Sequence, residues 1–455
     1  MSFKRVGAMG AAVGVLALGG PTAPAFAQTV GPPELNPAVT TGSALDTFDY
    51  PQKQACMGSS GGGAIEEKPW SQQVLGIDRL HAQGLTGAGM TAAVIDTGVN
   101  HHPRLANVQD GQSSINDGRG AQDCDGHGTI VAGIIAAQPD PTGQDAYVGM
   151  APDARVLSIR QSSSLFQDQQ TNKTIGNTET MAQAINSAVD EGASVINISQ
   201  SSCQSIAEAS SYGNSGNQML HNAVRRAYDA DVVVVAAAGN VGGQCQKNPT
   251  GNPTTAVLPA WFDDYVLTVS STNRQGAPSE FDVPGPWVDV AAPGEGLIAL
   301  DPGVGGSGLA TQVAEGQNGQ MGPIQGTSFA APYVSGLVLL IKQKHPTLSA
   351  EEIMERIKTT ALHPGGRDGN NDIVGYGMID PEAALADVVP AEHGKQPPPK
   401  GETHLAADAL QRKDLPAIVV AIGGAGAGIA AIVFTAFLIN AVRNVRARTH
   451  TNSEE

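Results

Sequence analysis

Thr91-Ala92-Ala93-Val94-Ile95-Asp96-Thr97-Gly98 is an apolar run that ends in a carboxylate and a turn. A short run without polar alternation predicts a strand buried on both faces, as in a parallel sheet covered by helices. Four further runs repeat the pattern: Ala154 to Ile159, Ser194 to Ile198, Asp231 to Ala237 and Tyr265 to Val269. Helical spacing over Met181 to Glu191, Met219 to Ala230 and Ser328 to Gln343 falls between or after them. This alternation predicts an α/β domain whose doubly wound parallel sheet is flanked by helices through right-handed crossovers. Two segments break it, the polar Gln161 to Thr180 and the Gly-rich Asp301 to Gln325, and both are expected to be surface loops without regular structure.

Asp96 falls at the carboxyl end of its strand, where open α/β sheets build their sites. Downstream, Asp125-Gly126-His127-Gly128-Thr129 sets an imidazole between glycines. Ile130, Val131, Ile134 and Ile135 then follow at helical positions, so His127 opens a helix, and a helix N-terminus disfavours imidazolium. Gly326-Thr327-Ser328-Phe329-Ala330-Ala331-Pro332 supplies a hydroxyl at the start of another helix. A serine is a poor nucleophile until a base takes its proton and an acid orients that base. The expected roles are therefore Ser328 as nucleophile, His127 as base and Asp96 as orienter. Asn240, after the run Ala236-Ala237-Ala238-Gly239, offers a side-chain amide to an oxyanion beside the Ser328 N–H. Asp-Thr-Gly alone is a common strand-ending turn and Ala-Gly-Asn alone a common loop. Gly-Thr-Ser-x-Ala-x-Pro is specific, and the set in this order is more specific still.

The ends of the chain place the chemistry. Residues 1–27 read as a secretory signal: Lys4 and Arg5, an apolar core from Val6 to Leu18, then Ala25-Phe26-Ala27 as a cleavage pattern. Leu415 to Val442 carries no charged side chain and exceeds the roughly 20 residues that span a bilayer. Arg443, Arg446 and Arg448 follow it, so the tail (443–455) is expected inside the cell and everything before 415 outside. Residues 28–68 are rich in Pro, Gly and Ser and cannot bury a core of their own. Residues 69–388 form the domain, and 389–414, with Pro397-Pro398-Pro399, read as a linker.

The 455 residues carry a formal net charge of −17, which becomes −19 once Lys4 and Arg5 are removed. Such a chain lacks the basic footprint that nucleic acid requires, so no nucleic-acid partner is expected. The four cysteines, Cys56, Cys124, Cys203 and Cys245, are an even set outside the cytoplasm and suggest pairing, with three connectivities open. No dense carboxylate loop with regular ligand spacing is present, so neither a metal nor a cofactor is expected.

The order Asp, His, Ser and the motifs around each resemble the subtilisin-like serine proteases from about Trp70 to Ala386. Within that superfamily the chain resembles the mycosins, membrane-anchored subtilases of actinobacterial type VII secretion systems. The narrower resemblance rests on His101-His102-Pro103-Arg104-Leu105, Asp123-Cys124-Asp125, Ile196-Asn197-Ile198-Ser199 leading to Ser202-Cys203, His363-Pro364 and Gly375-Tyr376-Gly377-Met378-Ile379-Asp380. It implies the pairs Cys56–Cys124 and Cys203–Cys245, and an N-terminal strip retained as a wrap. It also implies a type VII secretion membrane complex as partner. The chain departs from the wider family at Ser199-Gln200-Ser201, where many subtilases have Ser-Leu-Gly along the substrate cleft. These three residues are expected to line that cleft, with the pocket narrowed by Ser201.

Together these readings give a membrane-anchored serine endopeptidase that acts outside the membrane on a protein or peptide substrate. A structural part of the secretion complex with dispensable proteolysis, and a general cell-envelope subtilase, are the alternatives.

Overall fold

The computed structural model describes residues 31–389 apart from 117, 316–319 and 366–368, together with Thr435 and Ile439. The chain divides into two compact units, Met1–His393 and Gly394–Glu455. In the second, Thr435 and Ile439 are helical, and the expected 1–27 and 415–442 segments otherwise lie outside the described residues. Among the described residues no helix is long and apolar enough to cross a membrane.

Seven strands make the main sheet: β1 (Thr91–Asp96), β2 (Val108–Ser113), β3 (Arg155–Arg160), β4 (Val195–Ile198), β5 (Val233–Ala237), β6 (Val266–Thr272) and β7 (Val290–Pro293). Their order is β7-β6-β5-β4-β1-β3-β2, parallel throughout. The helices that matter here are α1 (His127–Ala136), α2 (Thr178–Asp190), α3 (Ser215–Asp229), α4 (Thr327–Lys344) and α5 (Ala350–Thr360).

The apolar runs are strands because each must feed two cores. Along β1, Ala92 and Val94 enter a cluster with α1, α4 and α5, while Ala93 and Ile95 enter one with α2 and α3. Alternate strand residues point to opposite faces, so a doubly covered sheet needs apolar side chains at every position. Each fully buried Val or Ile contributes about 1.5–3 kcal/mol. Helix α4, buried from Thr327 to Ile341, lies across β4 to β7 and against α1.

The five expected strands and three expected helices are present, with ends displaced by at most four residues. Strand β2 was not expected, because Val108-Gln109-Asp110-Gly111-Gln112-Ser113 is a half-exposed edge with no apolar run. Helix α5 was also missed, although Ser349 and Glu352 form a capping box at its start. Both expected irregular loops contain β-structure. Ser163–Gln167 pairs with Thr174–Ile175, and Gln312–Glu315 with Gln320–Pro323. Their partners are backbone groups, which polar and glycine-rich sequence does not announce.

Residues 31–68 lie along the domain and are tied to it by backbone hydrogen bonds. Phe48 N donates to Ser114 O, Lys53 N to Leu165 O and Met57 N to Cys124 O, each at 2.8 Å. Disulfides join Cys56 to Cys124 and Cys203 to Cys245. Further on, Ser59 and Ser60 donate to Asp301.

His102 and Arg104 of the His101–Leu105 motif have a fold role. Arg104 donates to Asp145 from Nη1 at 2.9 and 3.0 Å and to Gln138 O from Nε, and its Nη2 reaches Tyr147 O. The Arg104 and Asp145 side chains are 6% and 7% exposed. Removing one partner strands the other charge in a low-dielectric site. Arg104→Ala is expected to lower the unfolding free energy by about 3–5 kcal/mol, read from the urea midpoint at unchanged slope.

Candidate active site

All the candidate residues sit at or just beyond the carboxyl ends of neighbouring strands. Asp96 ends β1, Ser199 follows β4 and Asn240 lies three residues after β5. Helices α1 and α4 begin beside them and carry His127 and Ser328 in their first turns.

His127 Nδ1 lies 2.7 Å from Asp96 Oδ1. Asp96 is fully buried, whereas the His127 side chain is 25% exposed, so the imidazole reaches the surface and the carboxylate does not. The same Oδ1 accepts from Thr97 N at 2.7 Å, while Oδ2 is buried without a hydrogen-bond partner. The glycines of the two motifs are there for close approach. A Cβ on Gly128 would stand 2.1 Å from Gly98 O and 3.1 Å from Asp96 Cβ. Any side chain at Gly128 would drive the two loops apart and break the contact between Asp96 and His127.

A second carboxylate, Asp123, holds these loops together. Its Oδ1 accepts from Thr97 Oγ1 at 2.8 Å and Gly126 N at 2.7 Å, and its Oδ2 from Thr129 N at 2.9 Å and Thr129 Oγ1 at 2.7 Å. Burial nevertheless pushes its carboxyl up to about 6, against the opposing effect of those hydrogen bonds. The sequence reading gave Asp123 no role. The legible signal was a carboxylate three residues before Gly126, placed to accept from the opening N–H groups of α1.

Ser328 is held by Ser199 through two reciprocal hydrogen bonds. The Ser328 hydroxyl donates to Ser199 O at 3.0 Å, and the Ser199 hydroxyl donates to Ser328 O at 2.7 Å. Pro332 explains the second bond. Four residues after Ser328 in α4, it has no N–H to give to the Ser328 carbonyl, which is therefore free to accept from Ser199. Asn197 donates to Ser199 Oγ at 2.9 Å and accepts from Ser335 Oγ at 2.8 Å, completing a buried polar row. The Ser328 hydroxyl thus rests on Ser199 rather than on His127. Catalytic hydrogen bonds commonly tighten only when substrate arrives.

Asn240 Oδ1 accepts from Thr327 N at 3.0 Å and Thr327 Oγ1 at 3.1 Å. With its oxygen engaged, the amide offers Nδ2 as donor. Gln200, Ser201 and Ser202 line a cavity of about 450 Å³ with Gln161, Asn177 and Leu258. The Gln200 side chain also reaches Asp96 and His127, a contact its place in the sequence did not announce. Cys203–Cys245 borders the same cavity, and Cys56–Cys124 lies one residue before Asp125 on the His127 loop. Among the described residues no group of three or more His, Cys, Asp or Glu is arranged to hold a metal ion.

The electrostatics of His127 differ from the expectation drawn from its helix N-terminus. Burial pulls its pKa down, but the charge and hydrogen bond of Asp96, together with the charges of Asp123 and Asp125, outweigh it. The net shift is upward, because full charges a few ångströms away exceed the partial charge of a helix end.

The profile of the subtilase family matches residues 87–377. Mycosin-4 of Mycobacterium tuberculosis is 44% identical over 379 residues, which cover 80% of each chain. Mycosin-1 of the same organism is 39% identical over 392 residues, covering 80% of this chain and 84% of its own. The structure of MycP3 protease from the type VII (ESX-3) secretion system superposes with a TM-score of 0.70 at 36% identity, covering 79% of this chain and all of that one. A chain of the intact ESX-5 inner membrane complex superposes with a TM-score of 0.71 at 35% identity, covering 89% and 99%.

A base must be neutral to accept a proton, so kcat/KM is expected to rise with pH through a midpoint above 6.5, the ordinary histidine value. Stability runs the other way. A raised folded-state pKa contributes stability that is complete below the unfolded value and is lost as pH rises through the folded one. The difference in unfolding free energy between the native protein and His127→Gln should therefore shrink across the window in which activity appears. Parallel pH series of peptide hydrolysis and urea unfolding check both signs.

Proposed function

The chain belongs to the subtilase family and, within it, to the mycosins, and on that premise we propose that Asp96, His127 and Ser328 form the triad of a membrane-anchored serine endopeptidase that works with a type VII secretion complex. The observation that carries the triad is the 2.7 Å contact between a buried Asp96 and a partly exposed His127 on the rim that also bears Ser328. In the reaction the Ser328 hydroxyl turns from Ser199 O to His127, which takes its proton as Oγ attacks the substrate carbonyl. Asp96 holds the imidazole in the tautomer with Nδ1 protonated and stabilises the imidazolium that forms. The developing oxyanion is met by Asn240 Nδ2 and Ser328 N–H. His127 then returns the proton to the leaving amine, and water repeats the cycle on the acyl-enzyme. Ser199, Gln200 and Ser201 line the approach to this centre on the acyl side.

The proposed organisation is a signal peptide (1–27), a wrapping strip (28–68), the peptidase domain (69–388), a Pro-rich linker (389–414), a membrane span (415–442) and a cytoplasmic tail (443–455). The charge-free span and the arginines after it support this orientation. The proposal that the domain also serves as a part of the secretion assembly draws on its likeness to chains within the ESX-5 inner membrane complex.

A fluorophosphonate probe is expected to label the native protein and not Ser328→Ala, while Asn240→Ala should lower turnover by about 10²–10³, as loss of such an asparagine does in subtilisin. Well-folded native protein that stays unlabelled would overturn the proteolytic reading. Secretion that survives Ser328→Ala but is lost on deleting the chain would assign the assembly role as the principal one.

A further inference from the structure

The Gln200 side chain, at the edge of the cleft, is turned onto Asp96 and His127. Its Nε2 donates to Asp96 Oδ1 at 3.3 Å and lies 3.4 Å from His127 Nδ1. Oδ1 therefore receives three donors, Gln200 Nε2, His127 Nδ1 and Thr97 N, while Oδ2 is buried without a hydrogen-bond partner. Where many subtilases carry leucine at this place in the motif, no donor would exist. The preceding residue, Ser199, holds the nucleophile through its carbonyl, so two consecutive residues touch both ends of the proposed triad.

We propose that Gln200 is a positioning residue for proteolysis, which keeps Asp96 and His127 in line and restrains the basicity of His127. This rests on the reading of Asp96, His127 and Ser328 as the triad. The physical argument has two parts of the same sign. An N–H aimed at Asp96 Oδ1 offsets part of the charge that would otherwise favour imidazolium. The same amide presents the positive end of its dipole to Nδ1–H, which disfavours a second positive charge there. The charged groups that face His127 are Asp96 from β1 and Asp123 and Asp125 from the loop before α1, and all three raise its pKa. From α4 it meets the uncharged Phe329 ring, 5.1 Å between centroids, and from the N-terminal strip Met57 packs at Gly126 beside it. Against these carboxylates stand burial and the two N–H donors to Asp96 Oδ1, the backbone of Thr97 and the side chain of Gln200, and only the second also faces His127 Nδ1 among the described residues. A base surrounded by three carboxylates would stay protonated, and so idle, to higher pH without it.

The experiment is the pH dependence of the fluorophosphonate labelling rate, measured on the full-length protein and its Gln200→Met and Gln200→Glu variants. Met keeps the length and removes the donor, and Glu replaces it with a charge of the opposite effect. The probe is small, so its rate reports on the triad and not on peptide contacts along residues 199–201. The expected order of midpoints is native lowest, Met higher by about half a pH unit and Glu higher by one or more. One unit below the native midpoint, the Met variant should label about threefold more slowly than the native protein. Coincident midpoints, or a downward shift in Met, would overturn the inference, as would a change confined to KM for a peptide substrate. If Met fails to melt as a folded protein, the shift in Glu decides. A native protein unlabelled at every pH removes the triad reading, and this inference with it, whereas labelled proteins with superimposed profiles remove only this inference.

Discussion

A parallel sheet covered on both faces is open to solvent only at its ends. That constraint arranges the rest of the molecule. Apart from Asn197, the interior positions of β1, β4 and β5 are committed to one of the two cores, so the polar chemistry gathers where these strands stop. Asp96, Ser199 and Asn240 stand at those stops, and the helices that begin beside them bring His127 and Ser328 into the same small volume. Unpaired backbone groups at strand ends and helix starts then supply acceptors and donors that the sheet interior has already used.

The resting site is held in register by bonds that substrate chemistry would exchange. Pro332 frees a carbonyl, Ser199 takes it, and the Ser199 carbonyl in turn takes the nucleophile's hydroxyl. Behind them Asn197 donates to Ser199 and accepts from Ser335, which extends the buried row from β4 into α4. A connected buried polar network is rigid, and rigidity here fixes the α4 N-terminus against β4. On the other side of the cleft Asp123 performs the same service for the two loops that bear Asp96 and His127. The structure thus carries one buried brace under each half of the site.

Charge around the base is set by competition. Three carboxylates converge on His127 while burial and Gln200 act against them. The outcome governs the pH at which the enzyme is ready, and it depends on angles and distances of a few ångströms. The N-terminal strip adds to the enclosure, for Cys56–Cys124 fixes it one residue before Asp125 and Met57 packs onto Gly126.

By itself the sequence determined the parts that repeat locally. Apolar runs without alternation read as doubly buried strands, and the motifs at strand ends and helix starts pointed to Asp96, His127, Ser328 and Asn240 as candidates, because each proposed chemistry demands its residue type and its glycine. What it could not show were relations between segments far apart in the chain. Edge strand β2 and the paired segments Ser163–Gln167 with Thr174–Ile175 and Gln312–Glu315 with Gln320–Pro323 are held by backbone pairing, which leaves no side-chain signature. Asp123 looked like one more polar loop residue until four donors from two stretches of chain closed on it. The direction of the His127 shift, the turn of Gln200 onto Asp96 and the exchange between Ser199 and Ser328 were decided only in three dimensions. Electrostatic and hydrogen-bond energies depend on distance and orientation, and those are properties of the packed structure rather than of neighbours in sequence.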